Sequence, residues 1–188
     1  MKEPFLEPIL RKIRIGKVVD EVKDIQNCNL LDIGCGFNHK FLSSVEPYIK
    51  HGIGIDFKVQ ELSCCKIKTI NMTLNETLPF NECSFDAVTM LAVLEHIDKP
   101  RHIVSEVRRV LKNEGKFILT VPGKRAKPLL EFLAFKLGII NRKEIDDHKK
   151  YYDLDELKEL ISDIDGLKII KHQYFQFGMN NFCVIQKY

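Results

Sequence analysis

The 188 residues are 45% hydrophobic and 29% charged, and Lys plus Arg outnumber Asp plus Glu by 29 to 26. This composition excludes a disordered chain and suits one folded domain with a sizeable core, while a net charge of +3 is too small to argue for nucleic acid on its own. No apolar run approaches the ~18–20 residues of a membrane span. The opening MKEPFLEPILRKIRIGK breaks its apolar residues with Glu, Pro, Arg and Lys, unlike a secretory signal.

Cys28, Cys35, Cys64, Cys65, Cys83 and Cys183 form no C-x-x-C pair, which argues against a zinc site, and no metal is expected. Cys64 and Cys65 are adjacent, a poor geometry for a mutual disulfide. Free thiols in a reducing cytoplasm are expected.

In chain order, Phe5, Ile9, Leu10, Ile13, Val18, Val22 and Ile25 fall near helical spacing, predicting an N-terminal helix over 5–25, broken at Gly16. NLLDI is a short strand, followed by a glycine turn and a helix over 39–49. GIGID (52–56), KIKTINM (66–72, near an edge) and FDAVTML (85–91, buried) read as the next strands, with a helix between the first two of these and an open connection after the second. RHIVSEVRRVLK (101–112) is an amphipathic helix stopped by Gly115, and KFILTVP (116–122) is a fifth strand. DLDELKELISDI (153–164) reads as a helix with Asp153 as N-cap and Glu156 closing a capping box. LKIIKHQYFQ and MNNFCVIQKY, around Gly178, form a closing antiparallel pair. The alternation predicts an α/β fold: a doubly wound, mostly parallel, seven-stranded sheet with a C-terminal antiparallel pair and helices on both faces, in one domain. No repeat or linker divides residues 1–188, with an N-terminal helical segment over about 1–27 and a variable, lid-like segment over about 124–150.

In such a sheet, ligands sit beyond the carboxyl ends of the strands where strand order reverses. Gly34 and Gly36 let a ligand approach the main chain there, and Asp56 ends the next strand, where its carboxylate can accept two hydrogen bonds from a ribose diol. A glycine pair and a strand-end acid each occur in ordinary turns; together, at this spacing, they suggest an adenosine-containing ligand. A dinucleotide site needs a small residue where this chain has His39, and Asp32 would repel a diphosphate. A ligand carrying a sulfonium or ammonium tolerates that acid better.

At this point the residues resemble the class I S-adenosylmethionine-dependent methyltransferases, in particular the broad type 11 group. The resemblance rests on LLDIGCGFN, GIGIDFK, LPFNECSFDAVTMLAVLEHI, VLKNEGKFILTVPG and DDHKKYYDLDELKELISDIDGLKII, in that order, over most of residues 29–188. It implies a Rossmann-like fold and S-adenosylmethionine as cofactor, leaving S-adenosylhomocysteine. Asp32, Gly34, Cys35 and Gly36 would surround the methionine part. Asp56 would hold the ribose hydroxyls with Phe57 beside the adenine, Asn71 and Met72 would border the adenine edge, and Leu91 and Ala92 would lie under the sulfonium. Where the family often has a third glycine this chain has Asn38, a residue that tolerates left-handed backbone angles. The acid that often precedes L-P-F is absent from NMTLNET, so Asn71 or Asn75 would substitute.

Methyl transfer from a sulfonium is an in-line displacement that needs alignment more than acid–base chemistry, so no catalytic triad is expected. His96 is the candidate base, set against a reading in which Glu95 and His96 only hydrogen-bond neighbouring loops. His96, His148, Tyr151 and Tyr152 are the candidate substrate-facing residues, one tyrosine being equally suited to packing. KPLLEFLAFKLGII (127–140) suits a lid, an apolar acceptor pocket or a homodimer contact, against an ordinary buried helix. Lys124, Arg125, Lys127, Arg142, Lys143, Lys149 and Lys150 would favour an anionic acceptor, against a merely solvated surface. The expected function is methylation of a small molecule; the alternatives are a catalytically inactive, cofactor-binding regulatory or scaffold subunit and a nicotinamide oxidoreductase. Nucleic acid is not expected, with no N-P-P-Y-type motif and no long basic stripe.

Overall fold

The computed structural model describes residues 7–74, 77–131 and 149–188. Among them, helix α1 (Glu7–Lys23) leads into β1 (Cys28–Ile33), α2 (Lys40–Val45), β2 (Ile49–Asp56), β3 (Leu62–Cys64), β4 (Ile67–Asn71) and β5 (Phe85–Leu91). A 3-10 turn (Leu94–His96) precedes α3 (Pro100–Val110), β6 (Leu111–Pro122), α4 (Ala126–Glu131), α5 (Leu154–Ser162), β7 (Leu167–Phe175) and β8 (Asn180–Lys187).

The strands form one sheet in the order β3-β4-β2-β1-β5-β6-β8-β7. Strands β4, β2, β1, β5 and β6 run parallel, and β8 and β7 close the far side antiparallel. Successive residues of a strand face opposite sides, and the burial follows that rule. Leu30, Ile118, Phe182 and Val184 pack with Val18 and Val22 of α1 and Leu42 of α2. Leu31, Val88, Leu119 and Ile185 pack on the other face with Val107 of α3 and Leu160 of α5. The chain leaves β1 outward through β2 to β4, then crosses back to β5 on the other flank of β1, so strand order reverses between β1 and β5.

Three expectations change. An eighth strand, β3, pairs antiparallel with β4 in place of the helix expected between the second and third strands. The reason is local: Cys65 has a φ of 52°, which turns the chain back as a tight hairpin at Lys66. Helix α1 runs unbroken through Gly16, where an added Cβ would meet nothing within 4 Å. Helix α3 stops at Val110 without using Gly115, because Leu111 is already extended and begins β6. The irregular register between Phe85↔Leu111 and Ala87↔Lys116 absorbs the residues between, Gly115 among them.

The predicted capping box is present: Glu156 N–H donates to Asp153 Oδ1 at 3.3 Å, and Asp153 N–H donates to Glu156 Oε2 at 3.1 Å. The L-P-F stretch is held by α3. Leu78 N–H donates to Glu106 Oε2 at 2.8 Å, while the Arg109 guanidinium reaches the carbonyls of Phe80 (2.7 Å) and Leu78 (2.9 Å).

Candidate functional site

The crevice beyond the carboxyl ends of β1, β2 and β5 is assembled by the glycine turn. Gly34 N–H and Cys35 N–H both donate to Ile55 O, at 2.8 and 3.2 Å, which ties the turn to the end of β2. Gly34 has a φ of 76°, and a Cβ there would lie 2.2 Å from Val93 Cγ2. Only glycine fits that close approach. At Gly36, with a φ of 70°, a Cβ would meet nothing within 4 Å, so the main chain there faces open space. The left-handed residue that completes the turn is His39 (φ 37°, ψ 41°) rather than Asn38. It immediately precedes α2, so the reversal comes one position later than expected.

Asp56 points into this turn. Its Oδ2 accepts from Gly36 N–H at 2.9 Å, and its Oδ1 accepts from Lys58 N–H at 2.8 Å. Each oxygen keeps a further lone pair for another donor. Asp32, only 2% exposed, accepts from Thr89 Oγ1 at 2.7 Å. Burial pushes the Asp32 carboxyl up to about 7; the Thr89 hydrogen bond lowers it, and the charge of Asp56 adds to the rise.

Phe57 follows Asp56 and is 61% exposed, with Lys58 Nζ 4.6 Å from its ring centroid. The Asn71 amide donates to Phe57 O and Val59 O at 3.2 and 3.0 Å, so it braces the loop that carries Phe57. Met72 is partly buried against the core, and Met72 N–H donates to Asp56 O at 3.2 Å. Leu91 packs on the α1 side. Ala92 has a φ of 58°, a left-handed angle that costs a non-glycine residue energy, at the point where β5 meets the crevice. Cys35 is buried, and desolvation raises its thiol far above the ordinary range.

Among the acceptor-side candidates, His96 ends the 3-10 turn and is half-buried. Tyr151 is half-buried, whereas Tyr152 is 1% exposed in the core. His148, Asn75, Arg142, Lys143 and most of 127–140 lie outside the described residues. The cations read as a sign of an anionic acceptor are already engaged in part: Lys124 pairs with Asp153 and Glu156, Lys149 with Asp98, and Lys150 with Glu156.

Sequence reasoning passed over Thr89 and Arg14, and weighed Glu95 only as a hydrogen-bonding partner of neighbouring loops. Thr89 holds Asp32. Glu95, 1% exposed, has an Oε2 with no hydrogen-bond partner. Arg14, on the N-terminal helix, acts on the Glu95 charge. The visible signal was a charge inside the apolar run MLAVLEHI. A surface groove of about 330 Å³ lined by Glu61, Leu62, Ser63, Lys68, Thr69 and Ile70 belongs to the β3–β4 edge and contains none of these residues.

The crevice fits a ligand with a diol and a positive charge. The Asp56 oxygens suit the diol, open space above Gly36 admits it, and buried Asp32 beside Asp56 favours a cation over a diphosphate. Residues 31–119 match the family model described as "Methyltransferase domain". An Encephalitozoon cuniculi protein named "Putative methyltransferase ECU09_1500" is 31% identical over 84% of this chain and 78% of its own length. The "Uncharacterized methyltransferase YcgJ" of Bacillus subtilis is 31% identical over 71% of this chain, which spans about half (54%) of that relative. A SAM-dependent methyltransferase structure from Aquifex aeolicus superposes with a TM-score of 0.67 at 15% identity, over 93% of this chain and 89% of that one. The chain belongs to the class I S-adenosylmethionine-dependent methyltransferases.

Proposed function

We propose that this chain moves the methyl group of S-adenosylmethionine to a small-molecule acceptor by in-line displacement at carbon. The observation that carries the reading is the 2.9 Å hydrogen bond from Gly36 N–H to Asp56 Oδ2, which sets the open turn and the diol-binding acid on one ligand. When bound, S-adenosylmethionine supplies a methyl carbon already activated by its sulfonium.

The residues around it bind and orient. Asp56 takes the ribose hydroxyls, Phe57 flanks the adenine, and Asn71 and Met72 set the edge of that pocket. Asp32 and the backbone of Gly34, Cys35 and Gly36 receive the methionine part, where the Asp32 charge favours a cation. Leu91 and Ala92 form the floor under the reacting carbon. His96 and Tyr151 face the acceptor. Such positioning can supply up to ~7–11 kcal/mol of a barrier. The small net charge and the partly paired cations support a small acceptor over a nucleic acid.

Calorimetry with S-adenosylmethionine, S-adenosylhomocysteine and NAD, followed by S-adenosylhomocysteine release over a panel of phenols, amines and carboxylic acids, tests this reading. Binding of the first two with turnover of a panel member supports it. Binding without turnover of any acceptor supports the inactive, cofactor-binding subunit instead, and tighter binding of NAD would overturn both.

A further inference from the structure

Folded proteins pair nearly all their buried polar groups, so a local concentration of unpaired ones needs a cause. Among the described residues, the buried side-chain atoms without a hydrogen-bond partner are Arg14 Nε, His39 Nδ1, Glu95 Oε2, Thr120 Oγ1 and Tyr152 OH. They are scattered in sequence, yet backbone hydrogen bonds bring three of these residues, Glu95, Thr120 and Tyr152, to the β5–β6 end of the sheet.

Glu95 lies in the turn that follows Leu91 and Ala92. Thr120 is the β6 partner of Leu91, and its carbonyl accepts from Ala92 N–H at 2.9 Å. Tyr152 N–H donates to Pro122 O at 3.1 Å, which brings the phenol to the end of β6. The Glu95 carbonyl accepts from Lys149 N–H at 2.8 Å, so the segment carrying Tyr152 is tied to the Glu95 turn. Arg14 arrives from α1. The Glu95 charge helps raise the Tyr152 phenol, and the Arg14 charge works to lower the Glu95 carboxyl.

We propose that Glu95 is the acceptor-facing base of this methyltransferase, taking the proton from an O–H or N–H nucleophile whose remaining polar contacts come from Arg14, Thr120 and Tyr152. This rests on the methyl-transfer reading above. A carboxylate is acceptor-only, a guanidinium is donor-only, and the two hydroxyls are both. A hydroxyl or amine can donate to the acid and accept from a neighbouring donor, whereas a carboxylate acceptor would meet Glu95 with like charge. The nucleophile's lone pair forms the new O–C or N–C bond as the S–C bond breaks. Sulfur keeps that electron pair, and the released proton passes to Glu95. Burial holds the Glu95 carboxyl near neutrality, up to about 7, against the lowering effects of its own backbone amide, His96 in the same turn and Arg14 from α1.

The test reads the Glu95 carboxyl directly, by ¹³C NMR of protein labelled at glutamate Cδ, with the resonance assigned by Glu95→Gln. The titration midpoint is compared with S-adenosylhomocysteine bound and with S-adenosylmethionine bound. These ligands differ by one positive charge at the reacting sulfur. The midpoint is expected to fall by roughly one pH unit with the cationic ligand. Arg14→Gln, a second variant that keeps the carboxyl, is expected to raise it. Equal midpoints with the two ligands would overturn the proposal while leaving the cofactor site standing. Absence of calorimetric binding by both ligands would overturn the underlying reading as well. For an acceptor that turns over, Glu95→Gln is expected to lower kcat by about 100-fold or more with S-adenosylmethionine affinity unchanged; a retained kcat would overturn it.

Discussion

Thr89 Oγ1 lies 2.7 Å from Asp32 Oδ1, so β5 holds the acid next to the end of β1. That single hydrogen bond links the two strands between which strand order reverses. It also partly offsets the desolvation of a carboxyl that is almost completely buried.

The pH dependence of stability follows from Asp32 and Glu95. Both carboxyls are raised to about 7 in the folded state, from 3.8 and 4.5. Between the two sets of values the folded state holds more protons than the unfolded chain, so stability falls as pH rises from about 4 to about 7. Urea unfolding across that window is expected to show the decline without ligand. Asp32→Asn should flatten it by on the order of 2–4 kcal/mol.

Asp56→Ala removes the acceptor for Gly36 N–H and Lys58 N–H as well as the proposed diol contact. Hydrogen bonds to a charged group contribute about 1.5–3 kcal/mol each. S-adenosylmethionine affinity measured by calorimetry should therefore fall at least ~100-fold, with little change in the far-ultraviolet spectrum.

At Gly34 the obstacle is steric. Gly34→Ala would set a Cβ 2.2 Å from Val93 Cγ2 on a backbone with a φ of 76°. A cost of about 2–4 kcal/mol is expected in denaturant unfolding, from strain and overpacking together. Val93→Ala in the same chain should recover part of it.

Glu106 gives the opposite pH signature. The Arg109 hydrogen bond holds its carboxyl below the ordinary range. Its stabilisation is present above the unfolded pKa near 4.5 and is lost as pH falls through the lower folded value. Glu106→Ala leaves Leu78 N–H and the Arg109 guanidinium without their partner. A loss of roughly 2–4 kcal/mol near neutral pH is expected, with S-adenosylmethionine affinity unchanged, because α3 braces the L-P-F loop and not the glycine turn.

Periodicity made most elements legible. β5 coincides with FDAVTML because a buried central strand is a mostly apolar run bounded by polar residues. The α5 N-terminus was readable because a capping box is local chemistry: two residues three positions apart satisfy each other without help from the fold. The hairpin of β3 was not readable, since three exposed residues, Leu62–Cys64, carry no apolar alternation and pair only because β4 is beside them. Tyr152 was read as facing substrate, with packing equally suited to one of the two tyrosines, and its ring is in the core; a tyrosine's pattern does not distinguish a pocket wall from packing.

By itself the sequence determined the alternation of strands and helices, the two glycines and the acid one strand later, because backbone freedom and side-chain period are properties of short segments. Only the tertiary structure decided that Asp56 turns toward Gly36, that Thr89 holds Asp32, and that Glu95, Thr120 and Tyr152 come to one end of the sheet with polar atoms unpaired. Those relations join residues distant in the chain, and their energies come from burial and charge proximity, which exist once the sheet has closed.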